Sequence, residues 1–153
     1  MMKKFDIRKK FLEKLINFYG PFLGAGVKLQ KMSKDYRHAL VSMRLTFYNK
    51  NYVGVQFGGS LYAMVDPWYM LMLMKNLGHE YIVWDKSAVI HFRSPGKGRV
   101  SAEFKLHDEQ IDEIKRSLET QNKLDYTFHV EIKDDAGKLI ADVHKVIYIR
   151  KKS

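Results

Sequence analysis

The chain holds 153 residues, 46% of them apolar and 29% charged, and no cysteine. That composition describes one soluble globular domain and excludes disulfides, thiolate metal sites and a cysteine nucleophile. Lysine and arginine outnumber the acids 27 to 17, a net charge of +10, which fits a phosphorylated small-molecule partner, an anionic surface, or plain solubility.

Residues 1–22 read as an N-terminal amphipathic helix. Phe5, Phe11, Leu12, Leu15, Ile16, Tyr19 and Phe22 recur at helical spacing among Lys3, Lys4, Arg8, Lys9, Lys10 and Lys14. Gly20-Pro21 is expected to end this helix. An aromatic-rich face packs on its own domain in preference to a membrane, so membrane association is not expected. The terminus carries many charges and no uninterrupted apolar segment, so it reads as neither signal peptide nor anchor, and the expected location is cytoplasmic.

Two strands are expected between Gly26 and Phe47. In the second, Val41, Met43, Leu45 and Phe47 alternate with Ser42, Arg44 and Thr46, and Lys34-Asp35 supplies the turn before it. The organising stretch comes next, a glycine loop and central helix over residues 51–77. Its helical part is apolar on nearly every side and must be buried on nearly every side. Asp66 and Pro67 in its middle leave it too short to span a membrane, and Gly78 suits a C-terminal cap.

The second half alternates. Tyr81 to Arg93, then Val100 to Leu106, then Leu124 to Ile132, and finally Leu139 to Arg150 read as strands. On the last, Ala141, Val143, Ile147 and Ile149 share a face. Ser94-Pro95-Gly96 and Asp134-Asp135-Ala136-Gly137 are turns, and Asp108 to Gln121 is a surface helix turning Ile111, Ile114 and Leu118 inward. Short turns force antiparallel neighbours, so the plan is α+β, a curved antiparallel sheet wrapped around one long helix. No block of five like charges and no nucleic-acid motif occurs, so no nucleic-acid partner is expected.

Asn51, Gly54, Phe57-Gly58-Gly59 and Asp66 stand at fixed spacings ahead of and within the helix. With the order of elements, they make the chain over roughly residues 25–150 resemble the hotdog fold. It is most similar to the acyl-CoA thioesterases typified by the phenylacetate-degradation enzymes, and within them to a branch of putative thioesterases. The family's Asn falls on Asn51, its paired glycines on Gly58 and Gly59, and its catalytic acid on Asp66. Its His position holds Phe57, a departure from the pattern. The resemblance implies a single hotdog domain over 1–153, an acyl-CoA substrate, and a homodimer or dimer of dimers. It also implies basic residues near the nucleotide of coenzyme A, here Arg93, Lys97 and Arg99.

The residues themselves carry chemistry compatible with this. Unpaired N–H groups at a helix start lie at the positive end of its dipole, and glycine lets a carbonyl approach them. Gly59, with Gly58, is therefore the expected oxyanion contact. Asp66 is the only acid in the helix and reads either as general base or nucleophile or as a cap for a helix starting at Pro67. Seven residues at a rise of ~1.5 Å place it about 10 Å from Gly59, so the two serve one carbonyl only across a dimer. Ser60 reads as a helix cap or a substrate contact, Asn51 as a turn residue or a substrate contact, and Phe57 as part of the substrate-binding loop. None of the six histidines forms a short-spaced pair, so no metal site is expected. No cofactor is expected beyond the coenzyme A of the substrate. The alternative to an enzyme is a non-catalytic acyl- or CoA-binding hotdog module, which Phe57 in place of His favours.

Overall fold

Period-two alternation along the strands builds one sheet whose inner face is almost wholly apolar. The computed structural model describes residues 15–152. Its strands are β1 (Val27–Met32), β2 (His38–Arg44), β3 (Tyr81–Phe92), β4 (Arg99–Lys105), β5 (Leu124–Asp134) and β6 (Leu139–Lys151). They form a six-stranded antiparallel sheet in the order β1-β2-β4-β5-β6-β3. Helices α1 (Gly20–Ala25), α2 (Gly58–Val65), α3 (Trp68–Leu77) and α4 (Asp108–Thr120) accompany it. Among the described residues no helix is long and apolar enough to cross a membrane.

The core lies between the sheet and α2 and α3. Val41, Met43, Val100, Ala102, Phe104, Val130, Ile132, Val143, Ile147 and Ile149 cover the inner face, all buried. Trp68, Met72 and Leu73 of α3 are fully buried against them. Tyr69 stacks on Phe128 with centroids 4.2 Å apart and meets Phe104 edge-on at 5.3 Å. α4 adds Ile111, Ile114 and Leu118, as its spacing predicts. The β5–β6 turn has Gly137 at φ 81, and Asp134 Oδ1 accepts the N–H groups of Ala136 and Lys138.

Three expectations change, and the register of β3 adds a feature of its own. The stretch through Asp66-Pro67 is two helices, not one, because Pro67 has no N–H to donate and its ring crowds the carbonyl of the preceding turn. The helix expected over residues 1–22 falls mostly outside the described residues. Within them, Gly20-Pro21 opens α1 instead of closing a helix, with Pro21 in the first turn where a missing N–H costs nothing. Strand β2 ends at Arg44, leaving Phe47 84% exposed in the following loop. Finally, β3 slips its register between Asp85 and Ser87. Val83 and Asp85 pair with buried Ile149 and Ile147 before the slip, and Ala88 and Ile90 with buried Lys145 and Val143 after it.

Candidate active site

Breaking a helix orphans carbonyls on its C-terminal side, and the break at Asp66-Pro67 satisfies them with side chains. The Trp68 indole N–H donates to the Met64 carbonyl at 2.7 Å. Lys145 Nζ donates to the Asp66 carbonyl at 2.7 Å and to Asp66 Oδ1 at 2.9 Å. Lys145 comes from the apolar inner face of β6 and is fully buried. Asp85, carried inward by β3, places Oδ1 2.7 Å from the same ammonium; this contact is Coulombic, falling outside hydrogen-bond geometry. The Tyr62 ring lies 5.3 Å from Lys145 Nζ.

Charge balance follows from this geometry. Burial alone would pull the Lys145 pKa down, but Asp85 and Asp66 outweigh it and raise it. Burial raises Asp85 despite the lysine, with Asp66 adding repulsion. Burial likewise raises Tyr62, which Lys145 opposes and Asp66 reinforces. The outcome is a carboxylate, Asp66, with a side chain 45% exposed, anchored from below by a buried cation. Asp66 does not cap α3. Pro67 stands at that N-cap with no side-chain hydrogen bond, and Asp66 is the C-cap of α2.

The glycine loop is built by asparagines. Asn49 is buried; its Nδ2 donates to the Ala25 and Arg44 carbonyls and its Oδ1 accepts the Thr46 N–H and hydroxyl. Asn51 Oδ1 accepts the N–H groups of Val53 and Val55, both at 3.1 Å, so this side chain is committed to shaping the loop. The loop delivers Phe57 as N-cap of α2. Gly58 and Gly59 occupy its first two positions, where N–H groups have no acceptor within the helix. Ser60 is one position further on and buried, so it is not the cap. Ala25, Tyr48, Asn49, Phe57, Gly59 and Ser60 border a cavity of about 500 Å³ open to solvent. Phe57 is 55% exposed and folds back over the start of the helix. A methyl group on Gly59 would stand 2.5 Å from its ring, and one on Gly58 would stand 3.0 Å from Phe92.

Gly59 and Asp66 thus sit at opposite ends of the eight-residue α2, about 10 Å apart at ~1.5 Å per residue. One subunit does not bring them together. Nor are the three basic residues of the β3–β4 turn gathered. Arg93 Nε donates to Asp142 at 2.5 Å, Lys97 is exposed, and Arg99 faces Asp135 at 3.9 Å. Arg99 instead pairs across the sheet with Arg44.

Two functional-looking residues escaped the sequence reading. Lys145 sits on an alternating apolar face whose other members are core, and a lysine there is a signal in itself, since buried lysines need partners. Asp85 carried no such mark, because its inward direction follows from its register opposite Ile147.

This arrangement, an antiparallel sheet with helices on its inner face and a glycine-led helix start, is the hotdog fold. The chain belongs to the family described as "Domain of unknown function (DUF4442)", whose model matches residues 8–149. No curated protein matches the sequence. Among solved structures, a Pseudomonas aeruginosa protein described as a probable thioesterase is similar, at 19% identity and TM-score 0.72, over 84% of this chain and 85% of that one. A protein of unknown function from Chlorobaculum tepidum matches at 17% identity and TM-score 0.74, covering 96% of each chain. A Haemophilus influenzae thioesterase matches at 14% identity and TM-score 0.64, over 92% of this chain and 88% of its own.

Proposed function

We propose that this protein hydrolyses an acyl-CoA thioester in a site assembled between two subunits. The observation that carries this reading is the half-exposed Asp66 carboxylate held on a buried lysine, 2.9 Å from Lys145 Nζ. A carboxylate fixed in that way can attack the thioester carbonyl or take a proton from an attacking water. The partner subunit supplies the Gly59 N–H and the positive end of α2 to the oxyanion that forms. Collapse of the tetrahedral intermediate breaks the C–S bond and releases the thiolate, which takes up the proton removed from water. Where Asp66 is itself the nucleophile, water then hydrolyses the acyl-aspartyl anhydride to the free acid and regenerates the carboxylate. Lys145 acts as a positioning residue, orienting Asp66 through both its carboxylate and its carbonyl.

A dimer is supported by β3. It is an edge strand of 12 residues, with Trp84, Val89 and Phe92 all more than half exposed along it. Such an edge is a template for pairing with another chain.

Free-thiol release from short, long and aromatic acyl-CoAs, in wild type and Asp66→Asn, tests the proposal. Turnover lost in a folded, dimeric Asp66→Asn supports it, whereas turnover retained there sinks the role of Asp66. The second reading, a non-catalytic acyl-binding module, is favoured by Phe57 lying over the Gly59 approach. Acyl-CoA that stabilises the protein without any turnover would establish that reading instead.

A further inference from the structure

Strands β3, β5 and β6 carry three histidines onto the sheet face turned away from the helices. His91 pairs with Asp142 across β3 and β6, and His129 with His144 across β5 and β6. Alternation along β6 sends Asp142 and His144 to the side opposite Val143 and Lys145, which point into the core.

Both imidazoles converge on one oxygen. His91 Nδ1 lies 3.3 Å from Asp142 Oδ1, and His144 Nε2 lies 3.7 Å from the same atom. All three donor atoms fall within 4.8 Å of one another. The other carboxylate oxygen, Oδ2, accepts Arg93 Nε at 2.5 Å. This division of labour is what a metal-ligating carboxylate requires, one oxygen fixed by an outer partner and one presented to the ion. Asp142 is only 10% exposed in its side chain while His91 and His144 are 48% and 49% exposed. The anchor is therefore buried and the two imidazoles reach it from the solvent side.

The spacing suits a small ion. Ligand bonds near 2.1 Å in tetrahedral geometry set donor atoms about 3.4 Å apart. The separations of 3.3 and 3.7 Å to Asp142 Oδ1 bracket that value, and the two imidazole nitrogens lie within 4.8 Å of each other. Two nitrogen donors and one oxygen select a borderline transition metal over calcium or magnesium, which take oxygen ligands.

We propose that His91, Asp142 and His144 form a site for a divalent transition-metal ion of the zinc class, with Arg93 as the outer partner of Asp142. Three protein ligands leave a coordination position open to water or a further ligand. The ion ties the edge strand β3 to β6 on the face opposite Asp66 and Lys145. Sequence spacing concealed it, since His91 and Asp142 are 51 residues apart.

The test is zinc titration by calorimetry on the tag-free full chain, with cobalt(II) absorption as a spectroscopic readout and thermal unfolding as a third. One zinc per chain is expected, with a raised unfolding temperature, as a ligand that binds only the folded state requires. His91→Ala and His144→Ala should each weaken binding on the order of tenfold or more, while His79→Ala, at an exposed site elsewhere, leaves it unchanged. Neither substituted histidine is buried, so both variants should fold. Absence of saturable zinc binding, or binding unchanged in the double His91→Ala, His144→Ala variant, overturns the proposal.

Discussion

Lys145 and Asp66, 79 residues apart in sequence, meet twice: the ammonium donates to both the backbone carbonyl and the carboxylate of Asp66. The first contact repairs a helix break and the second orients an acid. One buried cation therefore couples the integrity of the fold to the geometry of the proposed site.

Replacing Asp66 by Asn should separate these roles. The carbonyl contact survives, and Asp85 still neutralises Lys145, so stability should change by less than about 1 kcal/mol. Thiol release should fall about 10²–10⁴-fold, the usual weight of a positioned acid–base group. Matched denaturation curves and turnover assays read both quantities.

Lys145→Met should behave in the opposite way. It leaves the inward-facing Asp85 carboxylate without its countercharge and the Asp66 carbonyl without its donor, a loss of about 3 kcal/mol by the measure of broken buried pairs. Urea unfolding should show an earlier midpoint with an unchanged slope. A wild-type midpoint would mean that the contact contributes nothing to the folded state.

Alkaline unfolding should report two groups at once. Burial pushes the Tyr69 phenol up to about 12, and the Lys145 ammonium is raised by its two carboxylates. A folded-state pKa above the unfolded one stabilises fully below the unfolded value, near pH 10 for both side chains, and is lost as pH climbs through the folded value. Stability should therefore decline from about pH 10 toward pH 12. Tyr69→Phe keeps the stack on Phe128 and should remove roughly 2 kcal/mol of that decline, measured as denaturation midpoints against pH.

Glycine substitutions should divide by location. Gly137 sits at φ 81 with open space around its Cα, so Gly137→Ala should cost about 1–2 kcal/mol of backbone strain without touching turnover. Gly59→Ala meets the Phe57 ring first, and that ring is exposed enough to swing aside. Its stability should hold within about 1 kcal/mol, while turnover drops on the order of tenfold or more as the methyl group obstructs the oxyanion contact. Unfolding and kinetic measurements on both variants test the division.

Read as sequence alone, the chain already declared most of its architecture. Alternating runs such as Val100 to Leu106 and Leu124 to Ile132 announced their strands, because burying one face of a pleated strand leaves a period of two that neighbours cannot disguise. Gly78 and Gly137 marked a helix end and a turn through positive φ, a local backbone demand. The spacing of Gly58, Gly59 and Asp66 pointed to the hotdog fold. Only the tertiary structure decided what long-range pairing controls. Register opposite Ile147 turned Asp85 inward, β6 set Lys145 beneath Asp66, and β3 against β6 brought His91 to Asp142. Those meetings join residues distant along the chain, and sheet register, which no local pattern encodes, determines whether they occur.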